Sequence, residues 1–289
     1  MEMNKDKIPA RYRSSARNKK ITKIFVYTIV LLLSAVFVIP FLWMVITSLK
    51  EMKEIYTVGQ ILPTKIYWQN YKEAVTAMPF ARYVWNTVVI TVLCVVGYTA
   101  SSTMVAYSMS KIRWKGSKYL FPFIVGTMMI PSQVTMIPLY ILFNRIGWTG
   151  TILPLVVPTF FGGAYYIFLL RQFFMTIPDS YLESATIDGA SQTCIFFKII
   201  LPLCKPAIVR VAIFAFLAAW SDFFGPMLYL NSEEQYTISL GLQAFMQTHF
   251  VEWGPMMAAS TIFTVPIIIL FFCAQKSFIE GVTVTGIKG

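Results

Sequence analysis

The chain has 289 residues, of which 57% are hydrophobic and 13% charged, and its mean hydropathy is +0.65. Because soluble domains carry charges on about a quarter of their residues, this composition excludes an ordinary soluble enzyme and indicates an integral membrane protein. The net charge is +11, the four cysteines form no CxxC pair, and a single histidine excludes a multi-histidine metal site.

Six apolar runs follow one another along the chain. Each has about the 20 residues that a helix needs to cross the hydrocarbon core. Proline and glycine interrupt the third and fourth runs, which is tolerated where neighbouring helices or a cavity satisfy the freed backbone groups. No window alternates like a transmembrane β-strand. We therefore predict an all-α polytopic membrane protein with six transmembrane helices, in residues 24–46, 86–109, 119–143, 151–170, 207–230 and 254–275.

Lysine and arginine are distributed unevenly over the connections between these runs. Of the 24 basic residues, 18 fall on the side of the two termini and six on the other side. Because basic residues concentrate in cytoplasmic loops, both termini are predicted to be cytoplasmic. The positive charge is then a topology signal that also attracts anionic lipid headgroups, and it does not indicate nucleic-acid binding. The predicted organisation has three parts: a basic cytoplasmic N-terminal segment (1–23), a transmembrane domain (24–275) and a cytoplasmic tail (276–289). The transmembrane domain includes a long cytoplasmic loop (178–206).

The long cytoplasmic loop contains a polar, helix-like segment, "ESATIDGASQTCIFFKIILP", from Glu183 to Pro202. Ser180 and Glu183 have the spacing of a capping box, which predicts a helix with Ser180 as its N-cap and residue 181 as its first helical position. A glycine inside a helix costs about 1 kcal/mol relative to alanine, so Gly189 indicates close packing or a turn. An amphipathic connector on the bilayer surface and a docking helix for a cytoplasmic partner both fit. A docking helix would use one face of small residues: Ser184, Ala185, Gly189 and Ala190.

The spacing of this segment, Glu183-Ser-Ala-x3-Gly-x9-Ile-x-Leu-Pro202, resembles the EAA signature of permease subunits in binding-protein-dependent ABC importers. Ser184 stands where the family usually has alanine. The resemblance implies the type I ABC importer permease fold, in which this segment is the coupling helix that docks into a groove of the ATPase subunit. The coupling residues that it implies are Glu183, Ser184, Ala185, Asp188, Gly189, Ile199, Leu201 and Pro202.

Two further stretches resemble the sugar-importing branch, and specifically its smaller, maltose-type permease subunit. They are "WSDFFGPMLYL", Trp220–Leu230, and "FIEGVTVTGIKG", Phe278–Gly289. The resemblance extends over nearly the whole chain from residue 24 onward, and the ending departs slightly from the family's usual Gly-Ala-Val-Lys-Gly. It implies a carbohydrate, in particular an oligosaccharide, as substrate, and contact of Gly286 and Lys288 with the ATPase.

The chain contains no G-x-x-x-x-G-K-[ST] sequence, so it has no P-loop for ATP phosphates. We therefore expect a transporter subunit that is not an enzyme and binds no cofactor, with ATP and Mg bound by a partner chain. The resemblance implies four kinds of partner: a second homologous permease subunit, a dimer of ATPase subunits, an extracytoplasmic sugar-binding protein and the lipid membrane. The location that it implies is the plasma or inner membrane of a bacterial or archaeal cell.

Asp222 is the only acidic residue inside a predicted membrane run, where a charge costs roughly 2.5–3.5 kcal/mol. One interpretation places Asp222, Trp220 and Tyr229 on the substrate pathway, with hydroxyl recognition by the carboxylate and sugar stacking on the indole. The other interpretation gives Asp222 a structural hydrogen bond to a neighbouring helix.

The outer loop 231–253 is acidic and contains the single histidine, His249. Binding-protein docking and a solvated loop are both compatible with His249, Glu233, Glu234 and Glu252. A short amphipathic piece is predicted at Leu240, Leu242, Phe245 and Met246.

Three alternative functions can be compared with the sequence. An ABC permease for a non-sugar solute would have the same coupling segment. A self-contained secondary transporter would need inverted repeats or an ion relay, and the chain has no repeat and one intramembrane acid. An intramembrane hydrolase would need a Ser/His, paired-Asp or metal constellation, which the residue types do not supply.

Overall fold

The computed structural model describes the backbone of residues 10–246 and 251–283 and the side chains of residues 21–246 and 251–275. Within these ranges the protein is helical, and the β-structure is an isolated bridge between Met246 and Val251. The all-α prediction is confirmed. The α-helices are α1 (Ala10–Ser48), α2 (Met52–Ile55), α3 (Gln69–Thr76), α4 (Phe80–Ser110), α5 (Ser117–Thr127), α6 (Ser132–Arg145), α7 (Leu153–Val156), α8 (Ala164–Met175), α9 (Ser180–Ile187), α10 (Gln192–Ile195), α11 (Leu201–Leu203), α12 (Lys205–Trp220), α13 (Phe224–Tyr229), α14 (Ile238–Gly241) and α15 (Trp253–Thr283).

Four segments of the described chain are long and apolar enough to cross a membrane, namely Ile21–Ser48, Phe80–Ser110, Leu153–Met175 and Trp253–Gln275. Two further pairs of helices pass the same test only together. The pair α5 and α6 is bent by 99°, and the segment Gln192–Leu203 with α12 is bent by 77°. The prediction of six crossings is therefore confirmed as four candidate spans, or six when each bent pair counts as one.

A proline lies at each bend. Pro131 stands immediately before α6 in an extended conformation (φ −59°, ψ 134°), and the residue before a proline is disfavoured in the helical region. The chain therefore leaves α5 before it can continue in the same direction. At the second bend Cys204 separates α11 from α12, and Pro206 lies in the first turn of α12. Its missing N–H costs nothing there, because the first amides of a helix have no intrahelical partner.

The chain divides into two compact units, and the boundaries fall within α3 and α15. The first unit contains α1, whose membrane-spanning window is entirely unburied within the chain. Beyond α1, buried Asn70 donates hydrogen bonds to the carbonyls of Ser48 (2.9 Å) and Lys50 (2.8 Å). This amide fixes the loop that follows α1.

The second unit, Lys72–Glu252 with the later part of α15, contains the main core. Its central element is α4, which packs against α8 and α12. Small residues allow the close approach of the chain before α8. A Cβ at Gly97 would collide with the Thr159 hydroxyl, and buried Ser101 donates to the Thr159 carbonyl at 3.0 Å. Leu170, Phe174 and other large side chains fill the space between these helices.

The run 207–230, predicted as one membrane helix, is two elements. Helix α12 ends at Trp220, residues 221–223 are non-helical, and α13 begins at Phe224. The prediction of a continuous helix is wrong here. Asp222 and Gly225 supply the reason, because the carboxylate binds the glycine amide and starts a new helix.

The amphipathic piece predicted in the outer loop is present as α14 followed by a 3-10 turn, Leu242–Phe245. Leu240 and Phe245 are buried, whereas Met246 is exposed. The loop is attached to the first turns of α4, because Asn86 donates to the carbonyls of Glu234 and Tyr236. Arg82 lies 3.7 Å from the Glu234 carboxylate. His249 lies outside the described residues.

Candidate functional site

The predicted docking helix is α9, an eight-residue helix that follows Pro178. The expected capping box is wrong in detail. The helix begins one position earlier than that motif requires, with Asp179 at the N-cap, and no side chain caps its first amides. The Asp179 carboxylate is unavailable for capping because it binds a lysine from another element, as described below.

Helix α9 ends in a Schellman motif. The amide of Gly189 donates to the Thr186 carbonyl at 3.0 Å, and the amide of Ala190 donates to the Ala185 carbonyl at 2.9 Å. Gly189 has φ +78°, the left-handed conformation that glycine adopts at no steric cost. Nothing lies within 4 Å of a Cβ built at this position. Of the two predicted roles of Gly189, the structure supports the turn.

The small residues of the segment do not form one exposed face. Ala185 is buried and belongs to the core cluster of the second unit, and Ala190 packs against that cluster. Ser184 and Gly189 are exposed. The prediction of a continuous small face for a partner is therefore wrong, because Ala185 lets α9 approach its own chain. The exposed residues of this helix and its C-cap are Ser180, Tyr181, Glu183, Ser184, Thr186, Ile187 and Asp188.

The second half of the predicted segment lies in the core, as expected from its apolar sequence. Ile195 and Ile200 are fully buried, and Ile199 and Leu201 pack partly against the same cluster, while Pro202 is exposed. The residues Phe196–Ile200 form a π-helical turn between α10 and α11. The helical course continues through the Leu201-Pro202 pair and ends at Leu203.

This core joins α9 to three membrane helices. Leu170 and Phe174 of α8, Tyr107 of α4 and Val211 of α12 belong to the same buried cluster as Ala185. Close-packed interiors have few voids and transmit displacements. A force applied to α9 therefore acts on α4, α8 and α12 together.

An ion pair from the end of α4 also holds the segment. Nζ of Lys111 donates to the Ile177 carbonyl and to the Asp179 carboxylate, each at 2.6 Å. The lysine side chain is 3% exposed and the aspartate side chain 60% exposed. The hydrogen bond from Lys111, together with its charge, lowers the pKa of the Asp179 carboxyl below its usual value. Lys111 thus fixes the chain entering α9 to the C-terminal end of α4.

A groove of about 840 Å³ runs between α9 and the residues after α4. Ile187, which is 85% exposed, lies at this groove and is more exposed than Tyr181 (53%), the other large apolar side chain exposed on α9. Single exposed apolar side chains are common on protein surfaces, so it is the combination of Ile187 with a concave groove that marks this surface as a candidate contact site. The groove is lined by Lys111, Ile112, Arg113, Asp179, Leu182, Glu183, Thr186, Ile187 and Gln192.

The three residues predicted for a substrate pathway have contacts within the chain. The Trp220 indole stacks with the rings of Phe216 (centroids 5.3 Å apart) and Phe263 (5.7 Å), and its N–H donates to the Phe263 carbonyl at 3.1 Å. Trp220 is only 5% exposed, so within this chain the indole has no accessible face for stacking on a sugar. Tyr229 is likewise buried, beside the rings of Tyr140 and Phe143.

Asp222 lies in the break between α12 and α13 and not inside a helix, contrary to the expectation. One carboxylate oxygen accepts the Gly225 amide at 3.1 Å, and the Ser239 hydroxyl donates to the Asp222 carbonyl at 2.6 Å. The carboxylate therefore satisfies a free amide at the start of α13 in its own chain. These contacts support a structural role for Asp222. Its hydrogen-bond partner is the start of α13, however, and not a neighbouring helix as expected.

Two features of the site escaped the sequence analysis. Charge patterning indicates Lys111 only as one of the basic residues that set the topology, and the EAA spacing does not include Ile187. The position of Ile187 carried a signal, since it follows Glu183 by four residues and Ser184 by three and so shares their helix face. Gly286 and Lys288 lie outside the described residues.

Residues 100–284, which include α9 and the elements that support it, match the family described as "Binding-protein-dependent transport system inner membrane component". This match covers more than half of the chain. The chain belongs to this family. Membership confirms the resemblance to permease subunits and the prediction of a multi-pass membrane protein that transports and does not catalyse. The family's description also implies a separate binding protein.

Curated relatives agree with this assignment. The chain is 30% identical to the arabinooligosaccharides transport system permease protein AraQ of Bacillus subtilis over 90% of this chain and 93% of that protein. It is 28% identical to the maltose/maltodextrin transport system permease protein MalG of Escherichia coli, over 94% and 98% of the two chains. The fold is similar to a chain of a bacterial ABC transporter involved in the import of the acidic polysaccharide alginate, with a TM-score of 0.79, 23% identity, and coverage of 90% and 97%.

Proposed function

We propose that this protein is a permease subunit of an ATP-driven carbohydrate importer and that α9 is the helix through which a separate ATPase subunit drives it. The observation that carries the proposal is the arrangement of α9. One side is joined to α4, α8 and α12 through a continuous core, and the other side exposes Ile187 and Glu183 beside a groove. A helix held on one side and free on the other suits the transfer of motion from a partner.

The carbohydrate substrate is proposed from the relatives. AraQ and MalG are named for arabinooligosaccharides and for maltose and maltodextrin. Both span nearly the full length of this chain. We propose an oligosaccharide as the substrate class, delivered by an extracytoplasmic binding protein in a bacterial or archaeal plasma membrane.

The assembly proposed is this chain, a second homologous permease and a dimer of ATPase subunits that bind ATP and Mg. The ATPase would contact Glu183, Ser184, Asp188 and the exposed Gly189, while Ala185, Ile199 and Leu201 would hold the helix from below. The tail residues Gly286 and Lys288 are proposed as a second contact with the ATPase.

Reconstitution in liposomes with the partner permease, ATPase and binding protein tests the proposal. Uptake of a labelled oligosaccharide should require ATP and all four components. Ile187→Asp should abolish the stimulation of ATP hydrolysis by the loaded binding protein while the complex remains in the membrane. If the variant complex imports sugar at the wild-type rate, α9 is not the coupling element. If ATP-dependent uptake is seen only for a non-sugar solute, the substrate class is wrong.

A further inference from the structure

A second pocket, of about 670 Å³, lies between the end of α4, the start of α5 and α8. It is separate from the groove beside α9, although Arg113 borders both. Four of its nine lining residues are cationic and none is acidic, so the lining carries a charge of +4. The cationic residues are Arg113, Lys115, Lys118 and Arg171.

None of these four cations forms a salt bridge with any side chain that the structure describes. The neighbouring Lys111, in contrast, is paired with Asp179. Like charges collected around one concave site repel each other and concentrate the local potential. A bound anion would relieve that repulsion.

Arg171 is held in place at this pocket. Its Nε donates to the Met109 carbonyl at 3.2 Å, and its guanidinium carbon lies 3.9 Å from the centroid of the Phe121 ring. Neither of its terminal nitrogens hydrogen-bonds to any residue with a described side chain. A guanidinium fixed in this way presents paired donors in the geometry that suits a phosphate.

The position of the pocket along the chain indicates where the anion comes from. One candidate span ends at Ser110 and the next begins at Ser117, so the pocket lies where two helices meet the bilayer boundary. Trp114 stands in the connecting loop, where its indole donates to the Ser108 carbonyl at 3.1 Å. A Cβ at Gly116 would collide with this ring, so glycine lets the indole lie close to the start of α5. Tryptophan is enriched at the headgroup level of membranes.

We propose that this pocket binds the phosphate group of an anionic phospholipid from the cytoplasmic leaflet. Basic pockets between membrane helices on the cytoplasmic side bind such headgroups. A lipid is favoured over a soluble phosphate because both bounding helices enter the bilayer at this point. The proposal is independent of the transported solute.

The test compares lipid retention by the intact purified complex and by two matched double variants. Native mass spectrometry would count the phospholipids retained after titration with phosphatidylglycerol, phosphatidylcholine or inorganic phosphate. The site variant is Lys115→Gln with Lys118→Gln, two exposed residues with no described structural contact. The control is Lys65→Gln with Lys72→Gln, which removes the same charge from exposed positions before and within α3.

The wild-type and control complexes should retain one more phosphatidylglycerol than the site variant at limiting lipid. Affinity for that lipid should fall by about 25-fold in the site variant, because each basic residue near an anionic headgroup contributes roughly fivefold. Equal retention by all three complexes would overturn the proposal, as would equal retention of phosphatidylcholine at this site. Displacement of the lipid by millimolar inorganic phosphate would assign the pocket to a soluble anion and would overturn it too.

Discussion

The pair of Lys111 and Asp179 is asymmetric, and the asymmetry predicts which substitution costs more. The ammonium is almost fully buried, whereas the carboxylate is mostly exposed. In Lys111→Met the carboxylate returns to water, and the Ile177 carbonyl loses its donor. In Asp179→Ala the ammonium stays buried with the Ile177 carbonyl as its remaining described acceptor.

The magnitudes follow from what each variant leaves behind. A buried acceptor without a donor costs about 1–3 kcal/mol, and methionine keeps most of the packing of the lysine stem. Removing one partner of a fully buried ion pair costs about 3–5 kcal/mol, and the exposure of Asp179 reduces this to about 2–4 kcal/mol. Asp179→Ala should therefore be the more damaging change.

Hydrogen exchange of the purified complex, followed by mass spectrometry, measures the local cost. The amides of Gly189 and Ala190, which close the end of α9, report its opening. Their protection should fall by about 5- to 150-fold in Lys111→Met and by about 30- to 1,000-fold in Asp179→Ala. Lys198→Met, at an exposed position, serves as the control. The reverse order, or losses no larger than in the control, would refute the reasoning.

The same pair gives a pH dependence. The folded pKa of Asp179 is lowered from its ordinary value of 3.8, so its contribution is complete above that value and is lost as pH falls through the lower folded pKa. Protection of α9, corrected for intrinsic exchange, should therefore decrease below about pH 4 in the wild type. Asp179→Ala should lack this step. An identical acid profile for both proteins would contradict the assignment.

Four other positions give separable outcomes. Ile187→Asp should leave the melting temperature unchanged within about 1–2 °C, since exposed substitutions change stability by at most about 0.5 kcal/mol, and should lower stimulated ATPase activity by at least about tenfold. The control Ile146→Asp, also at an exposed position, should preserve that activity. Equal loss of activity in both variants would rule out a specific contact at Ile187. Gly189→Ala should destabilise the end of α9 by about 1–2 kcal/mol through its positive φ, and Gly189→Asn by less, as measured by hydrogen exchange. Trp220→Ala should cost about 3–5 kcal/mol and lower the melting temperature, whereas a stable variant with weakened sugar affinity would support the pathway role. Asp222→Asn should change the free energy of unfolding little, whereas Asp222→Leu should lower it by about 1–2 kcal/mol, because the asparagine side chain can still accept the hydrogen bond from the start of α13 and leucine cannot. Normal melting with impaired uptake in both variants would refute the structural role.

Hydrophobic length was enough to predict the spans, and the spacing of Glu183, Gly189 and Pro202 was enough to predict a separate helical segment. Apolar run length reports how much chain fits in a bilayer, and this depends on composition more than on precise conformation. The length of an apolar run does not show where the helix within it is interrupted. The 207–230 run therefore concealed a non-helical turn, because the cap formed by Asp222 depends on a single local hydrogen bond.

Which residues of the segment Glu183–Pro202 are buried was harder to predict. A small residue permits close packing on either side of a helix, so Ala185 alone does not say whether its own chain or a partner approaches. The role of Lys111 required knowledge that residues 68 positions apart meet in space. Charge counting treats such a lysine as solvated, and only the fold reveals that it is buried.

The bend between α5 and α6 has a consequence for how the protein enters the bilayer. The two helices have 11 and 14 residues, or roughly 16 and 21 Å at 1.5 Å per residue, so neither alone crosses a hydrocarbon core of about 30 Å. At 99° they do not add up to a straight rod, and the backbone groups at the break need partners that lipid cannot provide. We therefore expect the insertion machinery to release this segment into the lipid only after other helices can pack against it and satisfy its free backbone groups. Biogenesis of the chain would then follow the order in which its helices find one another, and not simply the order of synthesis.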